Sequence, residues 1–336
     1  MRKKLFFNLA MLLTAVTGAW AQIPNPNVYD DVWDGVTKTK PWDVQDKRVT
    51  IHTAAELAYI TEHWGEASSV VEGELCRDLN FSLVANLDMS AANWTPMGEK
   101  GYHSGKRNDY FAGKFYGNSH TICIKIDRPD SDDDELGLFK EINFGEVRDL
   151  HVTGKIEVGD AQKVGGICGT CKAGTIINCW VSADIKSSHY SSIEDAFLGG
   201  IAGIISNGNY TYEKSTIQFC CMTGNVENPK NSGVGGLAGV AYGCNISHCA
   251  LYGIVSVDHD QDNKWIGIMS SSCTLENYYD SFNPDEYNAA NGYDLYRYAL
   301  KHPYAVNVTT VGQGSVTVSA GGEDNILGAR PIKRSR

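Results

Sequence analysis

The sequence predicts an all-β protein: a right-handed parallel β-helix (solenoid) with an N-terminal capping helix and a short C-terminal β-hairpin module. Three observations carry this prediction. Glycine-rich blocks recur as "VGGICG" (164–169), "LGGIAG" (198–203) and "VGGLAG" (234–239). A second block follows each of them and alternates apolar with polar residues, the period-2 mark of a strand with one buried face. Glycine itself stands at 35 of 336 positions, above the roughly 7% of average proteins, and its recurrence makes it architectural.

The chain opens on "MRKK", a basic run, followed by the apolar "LFFNLAMLLTAVTG" and the small-x-small site Ala19-Trp20-Ala21. That order is a Sec-type signal peptide, too short in its apolar part to span a bilayer. The expectation is export, to the medium or the outer cell surface. Removing residues 1–21 from 336 leaves 315, and losing Arg2, Lys3 and Lys4 takes the net charge from −11 to −14. No later stretch is apolar for long enough to form a transmembrane segment. The acidic balance excludes nucleic acid as a partner, because no basic stripe is available to neutralise phosphates.

Residues 22–50 read as an N-terminal extension. "TAAELAYITEHWGE" (53–66) reads as a helix that caps the stack. Thr53 and Glu56 form a capping-box pair, and Leu57, Ile60 and Trp64 fall on one face. "YFAGKFYGNSHTICIKI" then gives strands around Phe115, Ile122, Ile124 and Ile126, with Gly117-Asn118 as a turn. The β-helix is assigned to residues 51–285.

Within it, two degenerate blocks flank the three clear ones, "LGLF" (136–139) and "IGIM" (266–269). Second-position glycines then fall at Gly137, Gly165, Gly199, Gly235 and Gly267, spaced 28, 34, 36 and 32 residues apart. The following blocks align as "VRDLHVTGKI", "IINCWVSADI", "IQFCCMTGNV" and "ISHCALYGIV", with "LENYYD" opening a fifth. Each unit is too small to bury its own apolar face, whereas stacked units bury it in a continuous column. The paired glycines suit a corner that needs either positive φ or close approach of another backbone.

This register decides how the cysteines are read. "CGTC" offers a C-x-x-C pair at Cys168 and Cys171, which invites a redox or zinc assignment. In the alignment, however, Cys168 shares its place with Ala202 and Ala238, and Cys171 with Ile205 and Ala241. Cys179, Cys220 and Cys249 share theirs with Leu150 and Tyr278. A thiol interchangeable with Ala, Ile and Leu is a small buried hydrophobe. An exported chain leaves room for a disulfide among the ten cysteines, although in-register side chains on stacked strands run parallel and fit a bridge poorly.

The motif order "TAAELAYI … NLDMSAANWTPMG … FAGKFYGNSHTI … LGLF … VRDLHVTG … VGGICG … INC" resembles the GLUG-repeat proteins of bacterial secreted and surface polypeptides, over about residues 50–280. The resemblance implies β-helical, non-catalytic segments of adhesins and surface proteins. Such repeats also occur beside immunoglobulin A-cleaving metallopeptidase domains, which need an H-E-x-x-H zinc helix that none of the nine histidines here begins. His120 in "GNSHTI" matches a family position and reads as a turn or rung residue.

Residues 286–336 read as a short helix near "DLYRYALKH" followed by a truncated β-rich segment, in which "YAVNVTTVGQGSVTVSAGG" forms a hairpin.

Two acidic runs, "DRPDSDDDE" (127–135) and "DHDQDN" (258–263), precede glycine blocks. Asp258, Asp260 and Asp262 have the spacing with which calcium loops present alternate carboxylates, but Asn263 and Met269 stand where an EF-hand needs Gly and Glu. They are the metal candidates, with Asp130–Glu135 as a second calcium reading and solvated acidic loops as the alternative; no other cofactor is indicated. For ligands, aromatics at repeat-related places (Trp180, Tyr190, Tyr210, Tyr212, Tyr242, Tyr252, Trp265) are expected to be exposed and to stack on sugars or a partner protein. Trp180, Tyr242, Tyr252 and Trp265 are the leading candidates. The expected function is adhesion or binding of a protein or glycan without catalysis. A β-helical polysaccharide lyase or hydrolase is the alternative. Arg148/Asp149, Ile177/Asn178, Gln218/Phe219 and Ser247/His248 are read as outward positions, and they offer no acidic column to carry such chemistry.

Overall fold

The computed structural model describes residues 28–103, 106–129, 135–159, 163–188, 196–208, 213–228, 233–256, 265–270 and 272–276, and the backbone of strands Ala305–Thr310 and Val316–Gly321. The signal segment and the helix expected near residues 294–302 lie outside these residues. The chain winds as a parallel β-solenoid whose coil has four faces. The first holds Glu135–Leu136, Lys163–Gly165, Phe197–Gly199 and Val234–Gly235. The second holds Phe139–Asn143, Cys168–Lys172, Ala202–Ser206, Ala238–Tyr242 and Ile266–Met269. A nine-stranded third face runs from Val44–Gln45 to Thr274–Glu276, and a ten-stranded fourth from Asp31–Val32 to Val255–Ser256. The fold expectation therefore holds.

In-register pairing builds the core. On the third face Val49, Phe81, Phe115, Val147, Ile176, Ile217 and Ile246 are successive Cα partners, and all are fully buried. Each contributes roughly 1.5–3 kcal/mol relative to exposure. Near the N-terminal end the core is aromatic: Trp64 lies 6.3 Å from Phe81, and Phe111 stacks on Phe139 at 5.0 Å. Downstream the Phe139 place passes to Cys168, Ala202, Ala238 and Ile266.

The helix spans Ala54–Glu62, with Thr53 as N-cap and both arms of the capping box formed. Trp64 lies just beyond its end, yet is wholly buried and donates Nε1 to the Asn108 carbonyl at 3.0 Å. Val44–Gln45 pairs antiparallel with Arg48–Ile51, so the third face ends there on a reversed strand. Asp31–Val32 pairs with Leu87–Asp88, which draws part of the 22–50 segment into the solenoid. The C-terminal strands Ala305–Thr310 and Val316–Gly321 pair antiparallel, as the hairpin reading requires.

Close approach explains the glycine corners, since none of Gly165, Gly199 and Gly235 has positive φ. A Cβ on Gly199 would stand 2.0 Å from the Ala202 carbonyl oxygen and 2.6 Å from Ala238 Cα. One register needs correction. Ile266 pairs with Ala238, so Gly267 stacks on Gly239 and not on Gly235. "IGIM" is the second half of a repeat, and Trp265 occupies the place of Leu237. The motif repeats its glycine four residues on, which is why the short block fits either half.

The positions read as outward, Asp149, Asn178, Phe219 and His248, form a turn column with φ of 55°, 52°, 55° and 55°. Asx residues tolerate this left-handed region best. Asn178 Nδ2 donates to Asp149 Oδ1 at 2.7 Å, and the Phe219 and His248 rings stack at 4.9 Å.

Candidate functional site

The thiols are enclosed. Cys168, Cys171, Cys179, Cys220, Cys244 and Cys249 are buried, and Cys179, Cys220 and Cys249 each direct Sγ to the carbonyl two residues earlier, at 3.3 Å. Burial pushes the thiols of Cys168 and Cys220 far up, and that of Cys76 to about 11. Since the thiolate is the nucleophile and the metal ligand, Cys168, Cys220 and Cys76 are chemically quiet.

Asp258, Asp260 and Asp262 lie outside the described residues, as do residues 130–134, Tyr190, Tyr210 and Tyr212. Glu135 is described, and it is no loop residue. It sits in strand Glu135–Leu136, 8% exposed, accepting from Thr170 Oγ1 at 2.7 Å with Lys163 Nζ at 3.4 Å. A second buried acid, Glu141, accepts from Asn143 Nδ2 at 3.0 Å and faces Lys172 Nζ at 3.5 Å. The sequence reading missed this paired arrangement, which no spacing rule signals.

The aromatic candidates separate. Tyr242 is 43% exposed and Tyr252 half-buried, but Trp180 is 6% exposed and Trp265 5%. The exposure expected of the two tryptophans is not found. Trp265 faces the core because it takes the Leu237 place. Trp180 packs flat on His151, centroids 3.9 Å apart, and donates Nε1 to Thr223 Oγ1 at 2.8 Å. His151 is itself pinned across three coils: Nδ1 meets Thr121 Oγ1 at 3.0 Å and Nε2 meets Ser182 Oγ at 2.7 Å. Burial brings its pKa down to about 3, so the imidazole is neutral and serves as a hydrogen-bonded rivet.

Two exposed aromatics escaped the sequence reading, Phe144 and Trp42. Trp42 is 72% exposed, its ring stacked at 4.8 Å and 16° on His52, whose Nε2 lies 3.1 Å from Asp43 Oδ2. The base of this stack is fixed. His52 N donates to Glu56 Oε2 at 2.7 Å, within the helix cap. The segment leading to it is tied to the same helix by Ala54 N to Asp31 Oδ2 at 2.7 Å and Thr39 N to Ala55 O at 3.1 Å. Asp34 folds the turn between them, accepting from Val36 N and Thr37 N at 2.9 and 2.7 Å. Those bonds, with one from the Thr37 hydroxyl as the largest cause, hold its carboxyl below the usual range. Val32 and Val36, 61% and 78% exposed, belong to the same segment. A flat, exposed ring backed on one face by an imidazole that meets a carboxylate can take the apolar face of a sugar on its other side.

Fold and surface define a parallel β-solenoid with a pre-organised aromatic platform on its N-terminal segment. No family model matches the chain, and no curated protein matches it. Among solved structures, that of a "putative immunoglobulin A1 protease" from Bacteroides ovatus is similar over 70% of this chain and 68% of that one, at 20% identity and a TM-score of 0.47.

Proposed function

We propose that this is an exported GLUG-repeat β-solenoid that binds a glycan or glycoprotein at the cell surface without turning it over. The exposed Trp42 ring, held parallel to His52 beside Asp43, is the observation that supports this reading. A ring fixed in advance gives up little conformational freedom on binding. Tyr242 offers a second exposed ring further along the stack.

The test is a glycan array on residues 22–336, with and without calcium, read beside reducing-sugar and unsaturated-product assays. Binding without turnover is expected, and Trp42→Ala should weaken it about tenfold, or roughly 1.4 kcal/mol, with the melting temperature unchanged. Product formation would favour the lyase or hydrolase reading. Equal binding by the variant would remove Trp42 from the site. Dependence on calcium would bring the Asp258, Asp260 and Asp262 loop into the account.

A further inference from the structure

We infer that Cys244 and Cys273 are a redox-responsive pair that closes into a disulfide and clamps the last described coil onto the one before it. Their Sγ atoms lie 3.2 Å apart. Asn245 and Ile246 are the Cα partners of Thr274 and Leu275, so the two cysteines fall at the next place back in the same register. Adjacent strands run about 4.8 Å apart, within the Cα window a disulfide accepts.

The usual obstacle to a bridge between stacked strands is that equivalent side chains point the same way. It is relieved here because Cys273 precedes its strand. It stands in a turn closed by Cys273 N to Ser270 O at 3.0 Å, outside the pleat that fixes Cys244. Lys214 Nζ lies 3.4 Å from the carbonyl of the adjacent Ser272, which places a positive charge over the turn. Access also sets Cys273 apart from the core thiols, while Cys244 is buried. Cys273 is half-buried, whereas Cys179, Cys220 and Cys249 are fully enclosed and directed at carbonyls.

The oxidant is a small disulfide such as oxidised glutathione. The Cys273 thiolate attacks one of its sulfurs and releases the first glutathione thiolate, leaving a mixed disulfide. Cys244 then loses its proton, and its sulfur displaces the second glutathione from Cys273. Two protein thiols lose two electrons and two protons; one disulfide gains them to give two thiols. This inference stands apart from the glycan reading and concerns only the stack.

The test uses the full chain, equilibrated with oxidised and reduced glutathione, alkylated and mapped by non-reducing peptide mass spectrometry. The expected result is a linked Cys244–Cys273 peptide pair and a melting temperature raised by about 5 °C. The rise should reverse with dithiothreitol and be absent in Cys273→Ser, a half-exposed site whose replacement leaves the core intact. The inference is overturned if both cysteines alkylate freely after oxidation. It is overturned equally if the bridge maps to other cysteines, or if Cys273→Ser still gains the same stability.

Discussion

Replacing Gly199 by alanine tests the physical reason for the repeat's glycines. The added Cβ would meet the Ala202 oxygen at 2.0 Å, Ala238 Cα at 2.6 Å and Gly239 N at 2.8 Å. All three are backbone atoms of two coils, so no side chain can rotate away. Relief requires the corner to open by an ångström or more. That strains the bonds from Gly200 N to Gly235 O and from Ala202 N to Leu237 O, at 3.3 and 3.1 Å. Overpacking of about 1–3 kcal/mol and two weakened bonds near 1 kcal/mol each give a loss of roughly 3–5 kcal/mol. Gly73 is the control. It has φ of +77° and open space around its would-be Cβ, so Gly73→Ala carries only the left-handed penalty, about 1 kcal/mol. Urea unfolding followed by tryptophan fluorescence and far-ultraviolet dichroism measures both. If Gly199→Ala costs no more than Gly73→Ala, close approach is not why the glycines recur.

Other expectations follow from the same contacts. Thr53→Ala removes one arm of the capping box and should cost about 1 kcal/mol in urea unfolding, with Thr53→Ser close to the parent. Ellman's reagent at pH 8 should label the half-buried Cys273 quickly in the native, reduced protein, label Cys123 more slowly because burial raises its thiol pKa, and reach Cys179, Cys220 and Cys249 only in denaturant; rapid native labelling of that trio would contradict their place in the core. His151, with its pKa brought to about 3 by burial, is neutral in the fold but protonates near 6.5 once unfolded. The unfolded chain therefore binds more protons in that window, and stability is lost as pH falls through it, by roughly 1 kcal/mol per unit between about pH 6 and pH 4. In His151→Asn this part of the slope should vanish from a pH series of unfolding midpoints.

Legibility in the sequence followed how local each cause was. The Cys179–Cys220–Cys249 column could be read because interchange with Leu150 identifies a buried place whatever the chemistry of the side chain. The Thr53 cap could be read because its partners lie three residues apart. Gly267 was placed in the wrong half of its repeat because the motif carries glycines four residues apart and a short block fits both. Asp149, Asn178, Phe219 and His248 were taken as outward. A period-2 pattern does not register a corner, and one of the four, Phe219, is of a type that rarely adopts left-handed φ. Trp180 is covered by contacts from three coils, and Trp42 is held out by bonds to a helix that begins twelve residues later. Such tertiary causes leave no periodic trace.

The lengths between strands vary where the columns do not. Four residues separate Val158 from Lys163 and nine separate Ser187 from Phe197; two separate Lys172 from Thr175 and eight separate Ser206 from Ser215. Through all of this Ile176, Ile217 and Ile246 remain partners. The molecule thus keeps what it displays apart from what holds it upright. A peptide grafted at 207–214 is expected to ride on the scaffold without disturbing it, whereas a single residue added inside a strand would throw every later coil out of step.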